Sequence, residues 1–270
     1  MGVIIIKITS DIHIHTNLSS CADRNATWER YVEFAKKDGL SSIGFANHLW
    51  DKDVPGASQW YSPQSVEHVM QLKKELPSDM SRDGIRLLFG CETEFTHEGK
   101  LCITEEHIEL FDYILVPHSH THMRIVMPDR AYAEDNKLHA KFLMESFMRV
   151  VEHPLSSHFT AIAHPFVPGT RYDVYNAVQF YIPESYLKEA FCAAREKEIA
   201  IEINGSCILC KDENDFSSCE SLRIFSIAKE CGCKFTYGSD SHSCEEPRRL
   251  SLVESFMAAC KITDEDILSL

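Results

Sequence analysis

No apolar run in this 270-residue sequence approaches the roughly 20 residues of a membrane-spanning helix. The opening run, Val3-Ile4-Ile5-Ile6, is four residues long and stops at Lys7, too short for a secretory leader. Position 6 is Ile rather than the Ser or Thr that myristoylation after Met1-Gly2 requires. Positive charge is also scarce. The 27 Lys and Arg face 41 Asp and Glu, giving a net charge of −14, and the basic residues form no run. Such a surface repels long nucleic acid, although bound metal ions can still bring a phosphate ester to an acidic protein. Gly/Ser- or Pro-rich linkers, internal repeats and low-complexity segments are missing too, so residues 1–270 are expected to form one domain.

Cysteine is not scarce: there are eleven. Without a leader, reduced thiols and a cytoplasmic location are expected, and triplets such as Asn25-Ala26-Thr27 are then no glycosylation sites. Cys207-x-x-Cys210 and Cys231-x-Cys233 raise a structural zinc. The first pair follows a strand ending at Asn204 and Cys231 ends an amphipathic helix, so buried thiols fit better.

Asp11-Ile12-His13-Ile14-His15 follows that opening run. If Ile4 to His15 is a buried strand running into a loop, His13 and His15 share one face and Ile12 and Ile14 the other. Paired imidazoles at a strand end suit half a metal site; surface or hydrogen-bonded histidines are the plain alternative.

Strands and helices alternate downstream. Trp28, Tyr31, Val32 and Ala35 make a helical stripe that stops before Gly39, and Ser42 to Ala46 reads as a strand ending in Asn47-His48. Ser62-Pro63 opens a helix, Arg86 to Phe95 is a strand carrying Glu92 and Glu94, and Phe111 to Val116 is another, ending in Pro117-His118. A long helix runs from about Arg130 to Glu152. Phe159 to Ala163, Ile199 to Ile203 and Lys234 to Tyr237 complete seven strands, with helices opened by Pro183, striped by Ile224 to Cys231, and carrying Val253 to Cys260. This order predicts a parallel sheet covered by helices, closed or nearly closed into a barrel.

Residues of ligand type recur at the ends of these strands: His13, His15, His48, Glu92, His118, His164, Asp240 and His242. Carboxyl ends of barrel strands open on one face, so all eight are expected at one mouth. Six imidazoles and two carboxylates suit zinc, iron or manganese rather than calcium or magnesium, and in number they predict two or three divalent ions. Such a site lowers the pKa of a bound water to about 7 and polarises phosphoryl oxygens, which makes metal-assisted hydrolysis the expected chemistry.

Asp11-Ile-His13-Ile-His15-Thr16, Asn47-His48, Gly90-Cys-Glu92, His118, Ala163-His164-Pro165 and Gly238-Ser-Asp240-Ser-His242 resemble, in order, the motifs of the PHP (polymerase and histidinol phosphatase) superfamily. No polymerase domain is attached, and the length resembles that of stand-alone histidinol-phosphate phosphatases of the PHP type. The resemblance implies an α/β fold, a distorted (β/α)7 TIM-like barrel. It also implies a metal-dependent phosphoesterase, expected to be a phosphomonoesterase on a small metabolite such as L-histidinol phosphate. By resemblance His13, His15, Glu92 and Asp240 hold one ion, Glu92 bridges to a second on His118 and His164, and His48 and His242 hold a third. A bridging hydroxide would attack phosphorus, with Asp240 as the catalytic residue handling the proton. Relatives place a further ligand, often His, where Ser19-Ser20-Cys21-Ala22-Asp23 stands here, leaving Cys21, Asp23 or no residue for that role. Two alternatives stay open: a phosphodiesterase or nucleotidase acting on nucleotides or short oligonucleotide ends, and a non-catalytic metal-stabilised binding module.

Further residues invite a role. His120 and His122 alternate with His118 and are candidates for substrate contact or leaving-group protonation. Arg124 and Arg171 are candidates for gripping phosphate, and Glu94 for supporting Glu92. Trp50 and Trp60 flank the loop after the second strand and either form a lid or cap the core. His68, His97, His107, His139, His153 and His158 lack the strand-end position and read as surface or helix histidines.

Overall fold

The computed structural model describes residues 6–210 and 212–270; Val3 to Ile5 of the opening apolar run lie outside the described residues. Its strands are β1 (Ser10–Ile14), β2 (Ser42–Leu49), β3 (Ser81–Arg82), β4 (Ile85–Thr93), β5 (Tyr113–Pro117), β6 (Ala161–Ala163), β7 (Ala200–Asn204) and β8 (Phe235–Gly238). Seven run parallel in chain order, and β3 is a two-residue antiparallel addition to β4. Parallel neighbours need a crossover between them, and helices packed on the outside supply it. At the carboxyl ends the sheet meets itself: Ile14 bridges Ser241, the His15 amide donates to the Ser241 carbonyl at 3.0 Å, and the Asp240 amide to the His13 carbonyl at 2.8 Å. The fold is thus the expected (β/α)7 TIM-like barrel.

The strands are buried on both faces, which is why they read as continuous apolar runs. Outside, Phe45, Phe89 and Phe235 of the strands share one core with helix residues such as Phe147 and Phe191. Inside, Ile12, Leu88, Tyr113 and Leu115 fill the barrel with Ala46, Ala161, Ala163 and Ala200. The small residues make room for Tyr113, whose hydroxyl donates to the Ile12 carbonyl at 2.6 Å. A Cβ at Gly90 would collide with the Tyr113 ring, so glycine is needed at that point of β4.

Several expected boundaries move. The strand around His13 is shorter than Ile4 to His15, and its alternation breaks: the β1–β2 register shifts between Asp11 and Ile14, so Ile12 faces the inner core and Ile14 the outer one. The helix expected to open at Ser62-Pro63 starts at Val66, capped by the Ser65 hydroxyl. The long helix expected from Arg130 is broken at Asp135, whose side chain caps Asn136–Val151. Gly39 ends Trp28–Asp38 in the left-handed conformation (φ 74°), as a helix stop demands. Cys210 and Cys219 form a disulfide, because the segment after β7 folds back on itself. The other nine cysteines are free, so this one pair is the exception to the expected reduced thiols. Cys207 is free, so Cys207-x-x-Cys210 is no zinc pair.

Candidate metal centre

Three groups at the barrel mouth, the first two sharing His15, each have ligand atoms within 4.8 Å of one another: His13, His15 and Asp240; His15, His48 and His242; Glu92, His120 and His164. Glu92, at the end of β4 and in register with His48 of β2, joins them. Its Oε2 lies 3.6 Å from His13 Nε2, 3.7 Å from His15 Nε2 and 2.8 Å from His48 Nδ1. Its Oε1 lies 2.9 Å from His164 Nε2 and 3.6 Å from His120 Nε2. One carboxylate therefore spans two halves of the cluster.

The histidines are aimed from behind. The Nδ1 of His13 donates to Glu202 Oε1 (2.6 Å), that of His15 to the Ser19 hydroxyl (3.2 Å), and that of His164 to the Ser119 hydroxyl (2.6 Å). The Nδ1 of His242 donates to the Asp240 carbonyl (2.8 Å), and that of His120 to Glu94 Oε2 (2.8 Å). Each such bond orients its ring and turns Nε2 inward, where it can give its lone pair to a cation. His13 Nε2 and His15 Nε2 face each other at 3.1 Å. Two lone pairs at that distance repel unless something positive joins them. Burial opposes charge on His13, but Glu202, Asp240 and Glu92 hold it well above the usual imidazole range, so a proton stands where a metal ion would.

A cation fits the same place on other grounds. Glu92 Oε2 and His48 Nδ1 are buried and lack hydrogen-bond partners although they lie side by side. Orphaned buried polar atoms are costly and rare. Burial opposes charge on Glu92, yet His120, His48 and His13 hold its carboxyl well below the usual range. Burial also works against a charged His120, but Glu94 and Glu92 push it up to about 9. His15 goes the other way: burial, with His48 and His242 alongside, holds it well below the usual imidazole range. Imidazoles and carboxylates in such a set suit a transition-metal ion better than calcium or magnesium.

Seven of the eight expected ligands meet here, and His118 does not. Its Nε2 accepts the Phe166 amide at 2.9 Å and its ring lies edge-on to Phe147 and Phe166. Burial, with His164 nearby, pushes it down to about 3, a neutral packing histidine. The chain turns after Pro117, so His120 rather than His118 reaches Glu92. Cys21 lines the cavity over the centre without joining a ligand group, and Asp23 turns back to accept the Asn25 amide at 2.7 Å. Arg171 pairs with Asp173 and lies off the cavity, whereas Arg124 lines it. Trp50 is buried and donates to the Val54 carbonyl, while Trp60 lines the cavity. His139 is a buried helix histidine bonded to Thr121. A fourth possible group, Asp51, Asp53 and His107, has its Asp51 carboxylate engaged by Thr104 and His107 and ties loops together.

Sequence reasoning missed Glu202. Besides holding His13, its Oε2 accepts the His164 amide (2.8 Å) and Asn204 Nδ2 (3.1 Å). His164 and Asp240 both sit at positive φ, 31° and 55°, which bonds of this kind sustain. A Cβ at Gly238 would collide with the Glu202 carboxylate and His13, so glycine there lets the two meet. The signal was present: a carboxylate inside the apolar strand Ala200–Asn204 needs a buried partner.

The chain resembles proteins already known. It is 28% identical over 266 residues to a protein named probable phosphatase from Aliivibrio fischeri, covering 98% of this chain and 90% of the relative. A Clostridium novyi protein of the same name is 26% identical, covering 88% and 81%. Among solved structures, the histidinol phosphate phosphatase of Lactococcus lactis, complexed with zinc, L-histidinol and phosphate, superposes with a TM-score of 0.66. It has 20% identity, with 94% of this chain and 93% of that one covered, a likeness of fold. The PHP domain model matches residues 11–206, and the chain belongs to the PHP domain family.

Proposed function

We propose that this protein is a metal-dependent phosphomonoesterase acting in the cytoplasm on a small phosphorylated metabolite, with residues 1–270 as one domain. That it hydrolyses phosphoric esters follows from its family and phosphatase-named relatives. One observation carries the reading: eight imidazole and carboxylate side chains converge on one barrel mouth, in groups whose ligand atoms lie within 4.8 Å of one another. His13, His15 and Asp240 would hold one divalent zinc, iron or manganese ion, Glu92, His120 and His164 a second, and His48 and His242, beside His15, are placed to hold a third. When bound, such ions supply positive charge for phosphoryl oxygens and lower the pKa of water to about 7.

The chain's own residues do the rest. Asp240 stays ionised, since burial opposes its charge but His13 and His15 pull its carboxyl below the usual range. It is therefore the group able to take the proton from attacking water. Glu202 and Glu94 hold His13 and His120 in position. His122, on the cavity wall beside His120, is kept neutral, burial and His120 pushing it down to about 4, so it can accept a hydrogen bond from substrate. The proton that Asp240 takes from water is the one available to the departing alkoxide.

The deciding experiment supplies zinc, manganese or iron to the purified protein. A panel then covers phosphomonoesters, L-histidinol phosphate among them, mononucleotides and bis-p-nitrophenyl phosphate. Release from monoesters supports the proposal. Preference for the diester keeps the metal centre and replaces the substrate class, and a metal-replete protein inert on the whole panel is a binding module.

A further inference from the structure

The cavity over the metal centre, about 630 Å3, reveals the other half of the ester. His48, His120, His164, Asp240 and His242 reach it from the metal centre. Trp60 stands edge-on to His48, ring centroids 5.2 Å apart, and remains 38% exposed. Tyr172, 57% exposed, lies stacked on Tyr175 at 5.4 Å, and both line the same cavity with Met123, Ile125 and Val167. Large aromatic faces left in water beside a polar centre are surfaces a flat ring would cover.

Charge is distributed just as unevenly. Asp240 is the only carboxylate among the described residues lining the cavity, and it belongs to the metal centre. Glu94, beneath it, is buried and fully engaged by Tyr61, His120 and the Phe95 amide. Among the described residues that line the cavity, no acid outside the metal centre is left to meet an ammonium group. Arg124, in contrast, is exposed on the wall and makes no hydrogen bond or ion pair with any described residue. A free guanidinium is built for two-pronged recognition of an anion.

We propose, on the phosphomonoesterase reading above, that the alcohol half of the substrate carries a flat ring and a second anionic group, a carboxylate or a further phosphate. Trp60 and Tyr172 take the ring and Arg124 takes the anion. L-Histidinol phosphate, whose alcohol half bears an ammonium, is then a poor ester for this cavity.

The test uses metal-loaded protein and esters matched in leaving-group acidity: benzyl, cyclohexylmethyl, 4-carboxybenzyl and 4-(aminomethyl)benzyl phosphate, with histidinol phosphate beside them. The carboxylated ester is expected to exceed the aminated one about tenfold in kcat/KM, and benzyl to exceed cyclohexylmethyl about fivefold. Arg124→Glu inverts the first ratio, and Trp60→Ala with Tyr172→Ala brings the second to about one. Tryptophan fluorescence reads Kd for the same esters independently of turnover. Turnover with equal or ammonium-favouring ratios overturns the substrate class and keeps the hydrolase. The expected order of Kd without any turnover overturns the hydrolase reading and keeps the ligand class.

Discussion

The two groups of imidazoles that meet at Glu92 are mounted differently. His13, His15 and His48 stand on or just past strand ends, tied into the sheet ladder, and their positions are set by register. His120 stands on a loop three residues beyond β5, held by the Glu94 carboxylate and backed by Tyr61. A ladder places a side chain through many weak bonds, whereas a loop relies on one strong one. A loop can therefore pass over one histidine and present another, as it does with His118 and His120.

The contrast can be broken at its strongest point first. His13→Ala or Asp240→Ala should lower kcat/KM about 1,000-fold while far-UV circular dichroism stays native; full activity in either folded variant sinks the assignment. The pair His118 and His120 comes next. His120→Ala should lose metal by elemental analysis and about 100-fold in activity. His118→Ala should keep its metal and lose roughly 2–4 kcal/mol of stability, read as a lower Tm. Exchanged outcomes would return the ligand role to His118. Glu202→Gln, on the ladder side, should weaken metal binding about 10- to 100-fold in chelator competition.

Protonation gives a subtler distinction. His120 is pushed up to about 9, with burial opposing and Glu94 and Glu92 prevailing, so at neutral pH it carries a proton that an ion must expel. Affinity should then rise about tenfold per pH unit up to about 9 for that proton, with protons released in weakly buffered solution. His120→Ala should flatten the slope. Smallest of all, Cys21→Ser should change kcat/KM by less than about twofold, since the thiol lines the cavity outside the ligand groups.

The same contrast explains what could be read from the sequence. A histidine or carboxylate just after a buried apolar run is placed by strand geometry, so His15, His48, Glu92 and His164 were legible, and with them the barrel. His118, His120 and His122 alternate on a turn whose path depends on Phe147 and Phe166, residues 27 and 46 positions from His120. No local pattern encodes that. The β1 irregularity escaped for a related reason: whether Ile12 turns inward depends on the space that Gly44, Gly90 and Tyr113 leave inside the barrel. Glu202 was legible in principle, as an acid in a buried strand, but its partner lies 189 residues away. Exposure of Trp60 and freedom of Arg124 are properties of the folded surface alone.

The bonds by which β8 returns to β1 are made by the residues that surround the proposed ions: the His13 carbonyl takes the Asp240 amide, and the His15 amide reaches Ser241. The barrel is a hoop whose clasp is also its reaction centre. An ion held by these side chains acts as a rivet through the clasp, and a chelator draws the rivet. Loss of metal should therefore be felt first as faster amide exchange along this one join, while the neighbouring wall, built on the long β2–β4 pairing, stays shut.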